Sequence, residues 1–160
     1  MREILFRGFH ECENGDTIIT INERKIKGIW VYGYYCFSPK RRGAFGQTVS
    51  ELDFDTHYIV SPRGESYKVI PETVGQCIGL PDKNGKKIYE GDFVAFEDGT
   101  STEAGFMDFV SIGEVEWVKE IAGFTVSDRA SADIECVFES CEVVGNKWDT
   151  PDLLNKTIGD

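Results

Sequence analysis

Few residues in this chain have types suited to covalent or metal chemistry. There are two histidines, His10 and His57, and five cysteines, Cys12, Cys36, Cys77, Cys136 and Cys141. Neither histidine sits in a recognisable nucleophile–base arrangement, and His57, within the run HYIV, reads as a strand residue rather than a base. Cys136 and Cys141 enclose Val137-Phe138-Glu139-Ser140, which is longer than the two-residue spacing of a zinc knuckle, and a metal site would need His10 and Cys12 to join them. An odd, scattered set of cysteines reads as free thiols rather than a disulfide framework. There is no nucleophile elbow, no HExxH motif and no phosphate loop; no Lys-Ser/Thr pair follows Gly85 or Gly91. The expectation is no catalytic residue, no metal and no cofactor. An enzyme whose site follows no known motif is the residual alternative.

Charge is the stronger signal. The net charge is -11, and it is unevenly spread. Residues 1–70 hold ten Lys or Arg against nine Asp or Glu, whereas residues 71–160 hold seven against nineteen. Between Ile88 and Val118 there are eight acids (Glu90, Asp92, Glu97, Asp98, Glu103, Asp108, Glu114 and Glu116) and no Lys or Arg. Such a field repels nucleic acid and attracts basic partners. Glu97, Asp98, Glu103, Asp108, Glu114 and Glu116 are therefore the candidate binding residues for a basic surface on a protein, with a solvated face as the ordinary alternative. Lys40, Arg41 and Arg42 form the opposite feature, three successive cations in the loop SPKRRGAFGQ. They are the candidate contacts in an alternative reading as a nucleic-acid-associated protein. No basic helix supports them, so direct nucleic-acid binding is not expected.

These groups must be positioned by short strands. Glu3–Phe9, the β-branched run Thr17–Ile21, the aromatic run Ile29–Phe37, His57–Ser61 and Tyr67–Ile70 read as strands of a small antiparallel sheet, punctuated by turns at Asn14-Gly15 and Pro62-Arg63-Gly64. Val49–Phe54 and the segment after Pro71 each read as a helical turn at most. Asp82-Lys83-Asn84-Gly85 and Tyr89-Glu90-Gly91-Asp92 are turns. Phe93–Phe96, Ile112–Val118, Gly123–Ser127, Ile134–Phe138 and Cys141–Val144 follow as strands, with alternation that places Val94, Val115, Trp117, Phe124 and Val143 in one core. Glu97–Ser111 reads as a long loop, with Phe106–Val110 able to lengthen a hairpin. Thr150 and Pro151 open a closing helix. In Ile29–Phe37 both faces are apolar or aromatic, which points to a homo-oligomer that buries one of them.

The run TVGQCIGLPDKNGKKIYEGDFV resembles the central motif of the YopX family of phage and prophage proteins. IKGIWVYGYYCF followed by HYIVS upstream, and CEVVGNKWDTPDLL near the end, resemble two further parts of that family's pattern. Cys77 stands where an aromatic is commoner. The resemblance spans most of the chain. It implies an α+β, mostly β fold: a small N-terminal antiparallel sheet over residues 1–72, then an SH3-like barrel with a short C-terminal helix over residues 73–160. It implies no known biochemical activity.

No apolar run approaches the ~18 residues that cross a membrane, and Arg2, Glu3 and Arg7 interrupt what a secretory signal would need as its apolar core. A cytoplasmic location in a bacterial host cell is the expectation. The function expected is that of a phage- or prophage-encoded accessory protein, a non-catalytic module that binds a host or phage protein with a basic surface.

Overall fold

The computed structural model describes residues 4–38, 56–127 and 134–156. The chain is mostly β, with two antiparallel sheets. It divides into two compact units, Ile4–Gln76 and a second that begins at Cys77. The loop of Lys40, Arg41 and Arg42, and Val49–Phe54, lie outside the described residues.

The first unit is built on β1 (Phe6–Glu11), β2 (Thr17–Ile21), β3 (Arg24–Ser38), β4 (Thr56–Val60) and β5 (Ser66–Pro81), whose last residues enter the second unit. β3 is long enough to serve several partners. Its first residues pair with β2, its middle with β1 and its end with β4. β4 pairs with β5, and β5 pairs again with β1, so the ladder that starts at β1 returns to it. Alternation along the strands then sends Val31, Ile59 and Val69 to a shared cluster, with Phe6, Ile29, Tyr35, Tyr67 and Val74 packed against it. The opposite face of β3 carries Tyr32 and Tyr34, both exposed. The helical turn expected after Pro71 is absent: Pro71-Glu72-Thr73-Val74 is strand. Here the register of β5 on β1 shifts, and the Thr73 hydroxyl satisfies the backbone by accepting from Phe9 N at 2.8 Å and donating to Ile70 O at 2.6 Å.

In the second unit β6 (Lys87–Tyr89) returns along the end of β5 through the Asp82–Lys86 turn. The sheet runs β10-β7-β8-β9, from β7 (Asp92–Thr102), β8 (Gly105–Val118), β9 (Gly123–Val126) and β10 (Glu142–Asn146). Ile78, Ile88, Val94, Phe96, Val115 and Val126 form its core, joined by Val137, Phe138 and Cys141. Gly91 is required at the entry to β7. Its φ is +82°, and a side chain there would meet the Trp148 ring at 2.7 Å.

Three expectations are corrected here. Ile134–Phe138 is not a strand but the start of helix α1 (Ile134–Ser140). Ile134, Val137, Phe138 and Cys141 recur at i, i+3, i+4 and i+7, a helical spacing that the stronger local β-propensity concealed. Glu97–Ser111 is not a loop: β7 and β8 pair continuously from Phe93↔Glu114 to Thr102↔Gly105. Trp117 is not a core residue. It shares the face of Val115, but it lies beyond the packed part of the sheet, 45% exposed, with its ring edge-on to Phe124 at 5.0 Å. The closing helix α2 (Leu153–Lys156) begins after a Pro151–Asp152 turn, and the Thr150 hydroxyl turns back to Asn146.

Phe96→Ala removes a buried ring from this core and is expected to cost ~3–5 kcal/mol. Trp117→Ala removes a surface edge-to-face pair and is expected to cost only about 1 kcal/mol. Urea unfolding of the two variants checks the contrast, and a Trp117→Ala loss as large as that of Phe96→Ala would place Trp117 back in the core.

Candidate functional site

Both histidines are engaged in structural contacts. His10 Nδ1 lies 2.8 Å from the Lys68 carbonyl oxygen, and its ring meets Tyr67 edge-on. His57 Nδ1 lies 2.6 Å from the Tyr35 hydroxyl, between the Tyr35 and Phe37 rings. Cys36 is exposed, Cys12 half-buried, Cys77 and Cys141 buried. Burial, reinforced by the nearby Asp82 charge, pushes the Cys141 thiol up to about 11, which keeps it protonated and unreactive at neutral pH. Among the described residues, no three His, Cys, Asp or Glu side chains converge in a way that would hold a metal ion.

Asp82 is the most heavily used carboxylate in the turn Asp82–Lys86. Oδ1 accepts from Asn84 N and from Lys86 N, each at 2.9 Å, while Oδ2 accepts from Val143 N on β10 at 3.0 Å. Burial raises its pKa, but the Val143, Lys86 and Asn84 donors, with the Lys86 charge, outweigh that and hold it below the usual value. Beside it Lys83 N donates to Cys141 O, and the Lys83 ammonium meets Glu142 at 2.7 Å. A shallow depression of about 300 Å³ lies here, lined by Leu80, Pro81, Asp82, Lys83, Phe138 and Glu139. The Asp82 oxygens face the backbone of their own turn and of β10, so the cluster fastens elements rather than presenting a reacting group.

The candidate acids are distributed by the β7–β8 register. Glu97 stands opposite Val110, Gly99 opposite Asp108, and Phe93 opposite Glu114. Alternation therefore puts Glu97, Asp108, Glu114 and Glu116 on one face of the ribbon. Asp98, opposite Phe109, is on the other face, where Ser111 Oγ donates to its Oδ2 at 3.3 Å. Glu103 belongs to the turn that joins the two strands. Asp98 and Asp108 are thus held in a ladder, not on a loop free to gather beside Glu114. Glu114 is also not a free surface charge: Lys147 reaches it at 3.0 Å, its ammonium lying over the Trp148 ring at 4.8 Å. Asp92, counted in sequence among the eight acids, is buried and accepts from Tyr89 N at 2.8 Å. Glu97, Asp108 and Glu116 remain as exposed carboxylates on one face. Between and beyond them the same face shows Phe106, 68% exposed, and Val110, 61% exposed. Composition marked the acids. The apolar residues among them were visible in the sequence, but only the register places them on the acid-bearing face. Lys40, Arg41 and Arg42 lie outside the described residues.

Ladder closure in the first unit, an open four-stranded sheet in the second, and carboxylates and carboxamides that fasten turns define a mostly β protein. The chain belongs to the YopX family: the family model for YopX protein matches residues 7–155. No curated protein matches it in sequence. Among solved structures it is similar to the crystal structure of protein EF1440 from Enterococcus faecalis, with 20% identity, a TM-score of 0.43, and coverage of 96% of this chain and 99% of that chain. No helix among the described residues is long and apolar enough to cross a membrane.

Asp82→Asn keeps an oxygen for Asn84 and Lys86 but turns an NH2 group toward Val143 N, with an expected loss of ~1–3 kcal/mol at neutral pH. In the native protein the Asp82 contribution is complete above the unfolded carboxyl value of about 4 and is lost as pH falls through its lowered native pKa. The variant is therefore expected to lose less stability than the wild type between neutral pH and about pH 2. Denaturant titrations across that range check the slope. Equal acid sensitivity would remove Asp82 from this role.

Proposed function

We propose that this protein is a phage- or prophage-encoded accessory module that acts in the cytoplasm of a bacterial host by binding a protein with a basic surface, without catalysing a reaction. The observation that supports this reading is the β7–β8 ribbon, where Glu97, Asp108 and Glu116 share one face with exposed apolar side chains. Glu97 and Asp108, diagonal neighbours in the ladder, repel each other, and a cationic partner offsets that repulsion. In this reading the second unit is an SH3-like scaffold whose longest hairpin carries the docking surface. The first unit contributes self-association, by burying Tyr32 and Tyr34 of β3 between copies.

Capture from host lysate tests the docking surface. Glu97→Lys, Asp108→Lys and Glu116→Lys together are expected to abolish retention of a basic partner that the wild type holds at low salt, with the melting transition preserved. Recovery of the same proteins by the triple variant would reduce the face to a solubility feature. Glu114 is left intact, because reversing it breaks the Lys147 pair. Self-association is checked by light scattering: a mass above the 18.0 kDa of one chain is expected, falling toward it in Tyr32→Ser with Tyr34→Ser. A monomer mass at all concentrations would exclude it.

A further inference from the structure

The ribbon offers more than charge. Glu97 and Asp108 are diagonal neighbours across the strands, since Glu97 faces Val110 and Asp108 faces Gly99. Diagonal positions in an antiparallel pair are ~7–8 Å apart, so one cation held between the two carboxylates contacts both. The Phe106 ring lies over Gly99, where a side chain would strike it. Gly99 thus lets the ring fold down against the ribbon and present its outer surface to solvent. Val110 completes an apolar pair on either side of Asp108 in β8. Along one strand, same-face residues recur every ~6.6 Å, which is also the repeat of same-face side chains in an extended partner.

The cations near this sheet are committed at its base. Lys147 pairs with Glu114, and Lys83 pairs with Glu142 while also lying within the electrostatic reach of Glu97. Further along the ribbon, alternation continues with acid and apolar residues interleaved and both exposed. A second copy of this ribbon fits such a face poorly, because it would set carboxylates against carboxylates. A smooth basic surface satisfies the charge and leaves Phe106 and Val110 in water. An extended segment whose every second side chain, all on one face, is in turn cationic and apolar satisfies both.

We propose that this face of the β7–β8 ribbon docks an extended peptide segment whose basic side chain, best an arginine, lies between Glu97 and Asp108 while the apolar side chains two residues before and after it, on the same face, cover Phe106 and Val110. The guanidinium spans two carboxylates with its several donors, where an ammonium acts as a point charge. The proposal rests on the protein-binding reading above and adds the partner's conformation and pattern.

The probe, Arg–Val, is a capped peptide of roughly eight residues built on the repeat Arg-Ser-Val-Ser, which sets Arg and Val in turn on one face and is long enough at ~3.3 Å per residue to cover the exposed part of the ribbon. Arg–Ser, the same peptide with Ser in place of each Val and so of the same length and charge, is the control. Titrations into the full chain are followed by backbone amide shifts. The expected result is that Arg–Val shifts the amides of residues 97–99 and 106–112 and binds roughly tenfold more tightly than Arg–Ser. Glu97→Gln with Asp108→Asn is expected to weaken Arg–Val by roughly tenfold or more, and Phe106→Ser to remove its advantage over Arg–Ser. Val110→Ser supplies the same comparison if Phe106→Ser perturbs the ribbon. If both peptides bind equally and the apolar variants change nothing, the extended-segment proposal is overturned while the electrostatic reading survives. If neither peptide shifts the ribbon, both are overturned.

Discussion

One buried carboxylate fastens much of the second unit. Asp82 closes its own turn by accepting from Asn84 and Lys86, and it binds Val143 N on β10, sixty-one residues further along the chain. A carboxylate surrounded by backbone donors costs desolvation, yet each charge-assisted bond is stronger than a neutral one. Its lowered pKa indicates that the bonds outweigh the burial. Because β10 pairs with β7, the same contact sets where the edge of the sheet begins. Lys83 N on Cys141 O and the Lys83–Glu142 pair then repeat the connection on either side.

Other motif positions work in the same way. Asp92 accepts from Tyr89 N in the turn that precedes β7, and Gly91 leaves room for Trp148. Asn146 is a hub at the other end: its Oδ1 accepts from Trp148 N and Asp149 N, its Nδ2 donates to Asp149, and its backbone N donates to the Thr150 hydroxyl. These polar side chains replace backbone partners that a chain of short elements cannot supply itself. The segments with the strongest resemblance to the YopX pattern are thus the ones that lock turns. That is a physical reason why the pattern identifies a family without identifying a reaction.

The ribbon is the converse case. Its base is covered on the core face by Val94, Phe96 and Val115, and Lys147 neutralises Glu114. Toward the turn, apolar and acidic side chains are both left in solvent, a combination that neither stability nor solubility requires. Phe106 over Gly99 offsets some of the weakness of glycine within a strand. Ladder pairing holds the ribbon's carboxylates at fixed spacings.

The strands of the first unit were legible because β-branched and aromatic runs bounded by the Asn14-Gly15 and Pro62-Arg63-Gly64 turns leave few alternatives. Thr17–Ile21 is found unchanged, and Ile29–Phe37 lies within β3. The turn at Asp82 and the left-handed Gly91 follow equally from local chemistry. Local sequence also determined the asymmetry of charge. It did not determine which short apolar run coils and which extends. Ile134–Phe138 satisfies a strand by propensity and a helix by spacing, and packing of Val137, Phe138 and Cys141 into the second core decided for the helix. Nor did it determine the depth of a residue on its face, so Val115 is enclosed while Trp117, two residues on, stands in solvent. Alternation assigns a side to each residue. How far the partner elements extend over that side is a property of tertiary structure, and so is the register that separates Asp98 from Glu97 and brings Asp108 diagonal to it.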